Sequence, residues 1–196
     1  PDGKKVAYVS GHNLFVETIA SGMVIQLTFG GTRKLINGTF DWVYEEEFGC
    51  RDGFRWSPDG AQIAYWQVDA NKIKDYLMLN TTDANYSKVI PVEYPKVGEP
   101  PSPVRIGVVN SAGGATRWMN IPGNTSQHYL PRMEWSSKHT LVVQQLDRKQ
   151  QESKLFYCNA SNGKSSLFYY EKNNSWIEIK SYWNKDDPMG WEWINH

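Results

Sequence analysis

One phrase occurs twice in this chain and constrains its fold more than anything else in it. Pro1-Asp2-Gly3-Lys4-Lys5-Val6-Ala7-Tyr8 returns 57 residues later as Pro58-Asp59-Gly60-Ala61-Gln62-Ile63-Ala64-Tyr65. Each copy sets a turn signal directly before an apolar strand. Glycine accepts the positive φ of a tight turn, and β-branched and aromatic residues suit a pleated surface. A second echo, Trp56-Ser57 and Trp135-Ser136, is spaced by 79 residues and precedes Leu141-Val142-Val143 in its later copy. Periods of this size, with about four strands in each, are those of β-propeller blades carrying insertions. The rival is a β-sandwich, which has no reason to reuse one turn at the same stage of each unit.

Short apolar or alternating runs separated by turn residues predict an all-β domain. The first set of strands is predicted at 5–9, 13–17 and 24–28, and the second at 53–57, 62–67, 75–80 and 88–92. A third set follows at 104–110, 116–120, 132–136, 140–146, 154–158 and 166–170. Helical periodicity is hard to find. The domain plan is one propeller domain over 1–196: a blade remnant at about 1–40, an acidic element at about 41–50, and blades at about 51–125 and 126–196. Residues 94–103 carry four prolines and read as a stiff, extended crossover between two strands of one blade.

The acidic element is Asp41-Trp42-Val43-Tyr44-Glu45-Glu46-Glu47-Phe48. Three successive carboxylates repel one another unless water or a cation faces them. In an arbitrary sequence such a run is a solvated face. Here it follows an aromatic, apolar stretch, and an element anchored by buried rings can hold carboxylates in fixed positions, as a cation site requires. Trp42 and Tyr44 are expected to be those packing anchors.

The remaining composition mostly excludes. At 196 residues and 40% hydrophobic content the chain can bury a core, and 21 basic residues balance 21 acidic ones. No overall field invites nucleic acid or an anionic membrane. No apolar run approaches the length of a membrane helix, and no charged-then-apolar leader opens the sequence. Pro1-Asp2-Gly3 reads as a turn already in progress, so further chain before Pro1 is expected. Cys50 and Cys158 neither define a zinc site nor prove a disulfide, and reduced thiols are the expectation. His12, His128, His139 and His196 have no metal spacing and are expected in loops or at the surface. No metal and no cofactor is expected. Six Asn-x-Ser/Thr sequons, beginning at Asn37, Asn80, Asn85, Asn124, Asn159 and Asn173, hint at an exported, loop-rich surface. The sequence contains no Gly-x-Ser-x-Gly, so the turn that presents a hydrolase serine is missing.

Asp41 to Glu47, then Phe54-Arg55-Trp56-Ser57-Pro58-Asp59-Gly60, then Val92-Glu93-Tyr94-Pro95-Lys96-Val97-Gly98, form a pattern in a definite order. It resembles the N-terminal β-propeller of dipeptidyl peptidase IV and its bacterial relatives in the prolyl oligopeptidase family. His128-Tyr129-Leu130 and Glu134-Trp135 continue the likeness, which covers most of the chain. The acidic motif is specific, whereas Trp-Ser-Pro-Asp-Gly occurs in many propellers. Between Glu47 and Trp56 the spacing is similar to that of the bacterial branch and one residue shorter than in the animal enzymes.

The resemblance implies an eight-bladed propeller, of which this chain supplies about three to four blades, capping an α/β-hydrolase domain. It implies a serine-type dipeptidyl peptidase that releases X-Pro or X-Ala dipeptides from the amino end, in the periplasm or secreted or at the cell surface. Glu46 and Glu47 would bind the free amino terminus of the peptide substrate. The catalytic serine, aspartate and histidine would follow His196, and an arginine for the substrate carbonyl would precede Pro1. Relatives are often homodimers, although no residue in the sequence marks an interface.

The residues agree with such a role. A peptide α-amine, with a pKa near ~7.7 to 8.0, is mostly cationic at neutral pH and offers three donors that two carboxylates can share. Adjacent residues of a regular strand point to opposite faces, so Glu46 and Glu47 can converge only from a short helical turn or an irregular loop. Glu45 would then point to solvent or to a basic neighbour. The competing reading is a non-catalytic propeller whose acidic loop docks on a basic patch of a protein partner.

Overall fold

The computed structural model describes residues 1–179. The first sheet is an antiparallel meander of β1 (Lys5–Ser10), β2 (Asn13–Thr18) and β3 (Met23–Gln26). Ser10 pairs with Asn13, leaving a two-residue loop in which Gly11 (φ 54) and His12 (φ 60) both lie in the left-handed region. That is the backbone a two-residue hairpin demands, because its twist matches that of the flanking strands.

The second sheet has the order β10 (Arg117–Trp118), β9 (Val104–Asn110), β6 (Gln62–Asp69), β4 (Leu35–Asn37), with β5 (Phe54–Trp56) also paired to β6. The third is a four-stranded meander of β11 (His128–Ser137), β12 (Thr140–Asp147), β13 (Glu152–Asn159) and β14 (Ser165–Lys172). A separate hairpin, β7 (Asp75–Asn80) and β8 (Lys88–Glu93), is inserted between β6 and β9, which pair directly behind it. Its root is clamped by Arg33, which reaches both Asp75 and Glu93, the residues that pair across its open end.

Strand β6 explains the stacking. Successive side chains of a strand face opposite ways, and all six residues from Ile63 to Val68 are buried. Ile63 and Tyr65 join Leu14, Val16 and Val109 in a core shared with the first sheet. Ala64, Trp66 and Val68 join Leu130, Met133, Trp135 and Val143 in a core shared with the third. Two indoles tie the second and third sheets together: Trp66 Nε1 donates to the Leu130 carbonyl at 2.8 Å, and Trp135 Nε1 to the Arg55 carbonyl at 3.0 Å. Consecutive antiparallel sheets packed face to face make this an all-β fold, part of a β-propeller.

The repeated turn has one construction in both copies. Gly3 and Gly60 take φ of 71 and 68, and each preceding aspartate accepts a backbone N–H two residues on, Asp2 from Lys4 and Asp59 from Ala61, both at 3.1 Å. The turns are neighbours in space: a Cβ on Gly60 would lie 3.5 Å from the Pro1 ring.

Several expectations need correction. Strand β4 was not anticipated, and β11 begins at His128 rather than 132, running through Pro131 with a register shift between Tyr129 and Arg132. His128 is buried, not a surface histidine. Burial lowers its pKa, and its Nδ1 lies 3.3 Å from the Gln145 amide. Asn37, the first sequon asparagine, is fully buried and bonded to Gln67. His196 lies outside the described residues. Among the described residues, no helix is long and apolar enough to cross a membrane.

Candidate functional site

The acidic element is a seven-residue helix, α1 (Trp42–Phe48). Both of its ends are specified locally. Asp41 is the N-cap, its Oδ1 accepting the Tyr44 N–H at 3.2 Å, and Gly49 ends the helix in the left-handed conformation (φ 64) while Cys50 N–H bonds back to the Tyr44 carbonyl at 3.1 Å. A helix this short has little stability of its own, so packing must hold it. Tyr44 supplies that anchor. It is fully buried, its ring lies 5.6 Å from Phe40 and 5.5 Å from Phe48, and its hydroxyl accepts the Leu130 N–H at 2.9 Å. Burial pushes the Tyr44 hydroxyl well above its ordinary pKa, so it stays neutral.

The proline-rich stretch braces the same helix. Ser102 Oγ donates to Asp41 Oδ2 at 2.6 Å in a buried setting. Burial raises the Asp41 pKa, against the pull of the Ser102 hydroxyl and the Tyr44 N–H. Trp42 departs from its expected role as a buried anchor: it is 38% exposed and rests on Tyr94, with ring centroids 4.3 Å apart.

The helix sends its three glutamates two ways. Glu45 turns toward Arg51, 3.4 Å away. Glu46 and Glu47 are exposed and line one open cavity of about 320 Å3, together with Trp42, Lys96, Glu99 and Arg148. The helical backbone thus allows what a strand forbids, two adjacent carboxylates on one space. Glu47 Oε1 accepts a hydrogen bond from Gln150 Nε2 at 2.5 Å. Arg148 enters from the same turn, donates to the Glu99 carbonyl at 3.0 Å and stands 5.9 Å from the Tyr129 ring. Tyr129, also at this cavity, has its pKa raised by burial, with the Arg148 guanidinium acting the other way. A cavity with three carboxylates and two cationic side chains can hold an ammonium group and still keep polar partners for its neighbours. Arg148 and Gln150 carried no sequence signal, because nothing in the run from 147 to 151 reveals which side chains face a helix a hundred residues upstream. Among the described residues no cluster of His, Cys, Asp and Glu has metal-binding geometry.

Residues 1–189 match the family model described as the dipeptidyl peptidase IV (DPP IV) N-terminal region. The chain belongs to this family. The family likeness extends to a solved structure, the dipeptidyl peptidase 4 of Porphyromonas gingivalis, with 31% identity and a TM-score of 0.83 over 90% of this chain and 25% of that one. Dipeptidyl peptidase 4 of Sus scrofa is 28% identical over 189 residues, 90% of this chain and 24% of the pig protein. The inactive dipeptidyl peptidase 10 of Rattus norvegicus is also 28% identical, over 180 residues, 89% of this chain and 23% of the rat protein. The chain therefore spans about a quarter of the length of these dipeptidyl peptidase IV relatives. Both peptidases and a relative named inactive share this propeller region.

Proposed function

We propose that this chain is the propeller portion of a serine-type dipeptidyl peptidase that releases X-Pro or X-Ala dipeptides, with Glu46 and Glu47 holding the free amino terminus of the peptide. The observation that carries this reading is the shared cavity of Glu46 and Glu47, from which Glu45 is turned away. At an effective dielectric of about 20, an ammonium ~4 Å from one carboxylate gains about 4 kcal/mol before desolvation. That is enough to set the peptide's first residue at a fixed distance from a nucleophile and to disfavour chains lacking a free amine. The bond-breaking chemistry would belong to an α/β-hydrolase domain packed against the propeller, and the protein would act in the periplasm, in secretions or at the cell surface.

The test is kinetic and uses the full-length protein. Glu46→Gln and Glu47→Gln should each lower kcat/KM for free-amine dipeptide substrates at least tenfold, or ~1.4 kcal/mol. N-acetylated substrates should be turned over poorly by parent and variants alike. Unchanged kinetics with the free-amine substrates would remove the pair from the substrate site.

A further inference from the structure

The turn joining β12 to β13 is built more tightly than a connection requires. Asp147 Oδ1 accepts the backbone N–H groups of Gln151 and Glu152, both at 2.7 Å, and Oδ2 accepts that of Lys149 at 3.2 Å. The Asp147 carbonyl accepts the Gln150 N–H at 2.9 Å, and the Gln150 carbonyl accepts the Ile177 N–H at 2.8 Å. Inside this frame Gln150 holds φ 54. Among the described residues the other non-glycine with positive φ is His12, where a two-residue hairpin demands it. Glutamine is not a residue that the left-handed region favours, and such strain persists where the surroundings over-determine it. Gln150 is buried, and its amide ends on Glu47, 103 positions upstream in the sequence.

We propose that Gln150 is a positioning residue of the amine site, locking Glu47 in the orientation that leaves its second oxygen free beside Glu46. The proposal rests on the reading of Glu46 and Glu47 as the amine clamp. An exposed glutamate samples many rotamers, and fixing one of them in advance lowers the cost of binding. The choice of an amide has its own logic. Gln150 donates a hydrogen bond without neutralising the carboxylate, whereas lysine or arginine there would compete with the substrate's ammonium for the same charge. The backbone strain then has a purpose, because it aims a side chain from a β-turn at a carboxylate on the neighbouring helix.

The experiment compares Gln150→Gly, Gln150→Met and Glu47→Gln in the full-length protein, measuring kcat, KM and thermal melting with a free-amine dipeptide anilide. Glycine adopts φ 54 without strain, so Gln150→Gly should melt at or above the parent while its KM rises about tenfold and its kcat changes little, the scale of a lost hydrogen bond to a charged group. Gln150→Met keeps the length without the donor and should raise KM similarly. Placed in the Glu47→Gln background, Gln150→Met should add little further loss. An unchanged KM in Gln150→Gly, or a KM that worsens only in step with lost stability, overturns the role of Gln150. If Glu47→Gln itself leaves kcat/KM unchanged, the amine clamp falls and the positioning role falls with it. A defect in Glu47→Gln without one in Gln150→Gly removes the positioning role alone.

Discussion

The Tyr44 hydroxyl accepts the Leu130 backbone N–H at 2.9 Å, and this bond joins the helix bearing the glutamates to the first residues of the third sheet. Both groups are buried, so each would be costly to leave unpaired. Tyr44→Phe keeps the ring packing but orphans the Leu130 N–H, and should destabilise the fold by about 1 to 3 kcal/mol. Denaturant unfolding of the full-length protein checks this. The same variant should weaken free-amine substrate binding, since α1 is too short to hold its place without tertiary contacts.

Asp41 gives a pH dependence of unusual sign. Because burial raises its pKa, the folded state holds the Asp41 proton more tightly than the unfolded chain does. Its contribution to stability therefore grows as pH falls through the range just above the ordinary carboxylate value, and is lost as pH rises through it. Asn keeps a capping acceptor without the buried charge, so Asp41→Asn should melt at or above the parent at pH 7, with the difference shrinking toward pH 4. Melting curves across that range would contradict this if the difference widened on acidification.

Glu45 serves as the internal control. Its pairing with Arg51 is solvent-exposed, with the arginine side chain 70% accessible. Such a pair contributes little, so Glu45→Gln should shift stability by no more than about 0.5 kcal/mol. Its kcat/KM for free-amine substrates should stay within about twofold of the parent, in contrast to Glu46→Gln and Glu47→Gln. Assayed side by side, the three glutamine variants separate a specific clamp from a diffuse acidic surface.

Cys158 should be chemically silent in the folded protein. It is fully buried on β13, and burial pushes its thiol up to about 12, far from the thiolate form that reacts. A thiol reagent added to native protein should leave it unmodified, and denaturant should expose it. Mass spectrometry of the labelled peptide distinguishes the two cases.

Much of the fold was legible because its strands are long enough to show a pattern. β6, β7, β9 and β12 lie within two residues of their predicted bounds, and both copies of the Asp-Gly turn do what glycine there permits. Leu35-Ile36-Asn37 was not legible, since three residues carry no periodicity and they form a strand only because β6 offers them a partner. The pairing of Glu46 with Glu47 came from the family resemblance; strand geometry added that the element carrying them had to be a short helical turn or an irregular loop, and it is a helix. Trp42 differs from the expected buried ring because the neighbour it packs on, Tyr94, offers it a surface rather than a core. Gln150 and Arg148 could not be found, since their part depends on where one turn faces after three sheets have stacked.

The inserted hairpin has a consequence for how such chains can diverge. β6 and β9 close their ladder directly behind it, and Arg33 pins its two ends together. Whatever lies beyond Asp75 and Glu93 can lengthen, shorten or exchange its exposed Leu77, Leu79, Tyr86 and Val89 without breaking the register of the sheet. The fold thus separates what must be inherited together from what can be rewritten at little cost. New surface chemistry could be tried out on this appendage while the ladder behind it, and the helix that carries the glutamates, stay as they are.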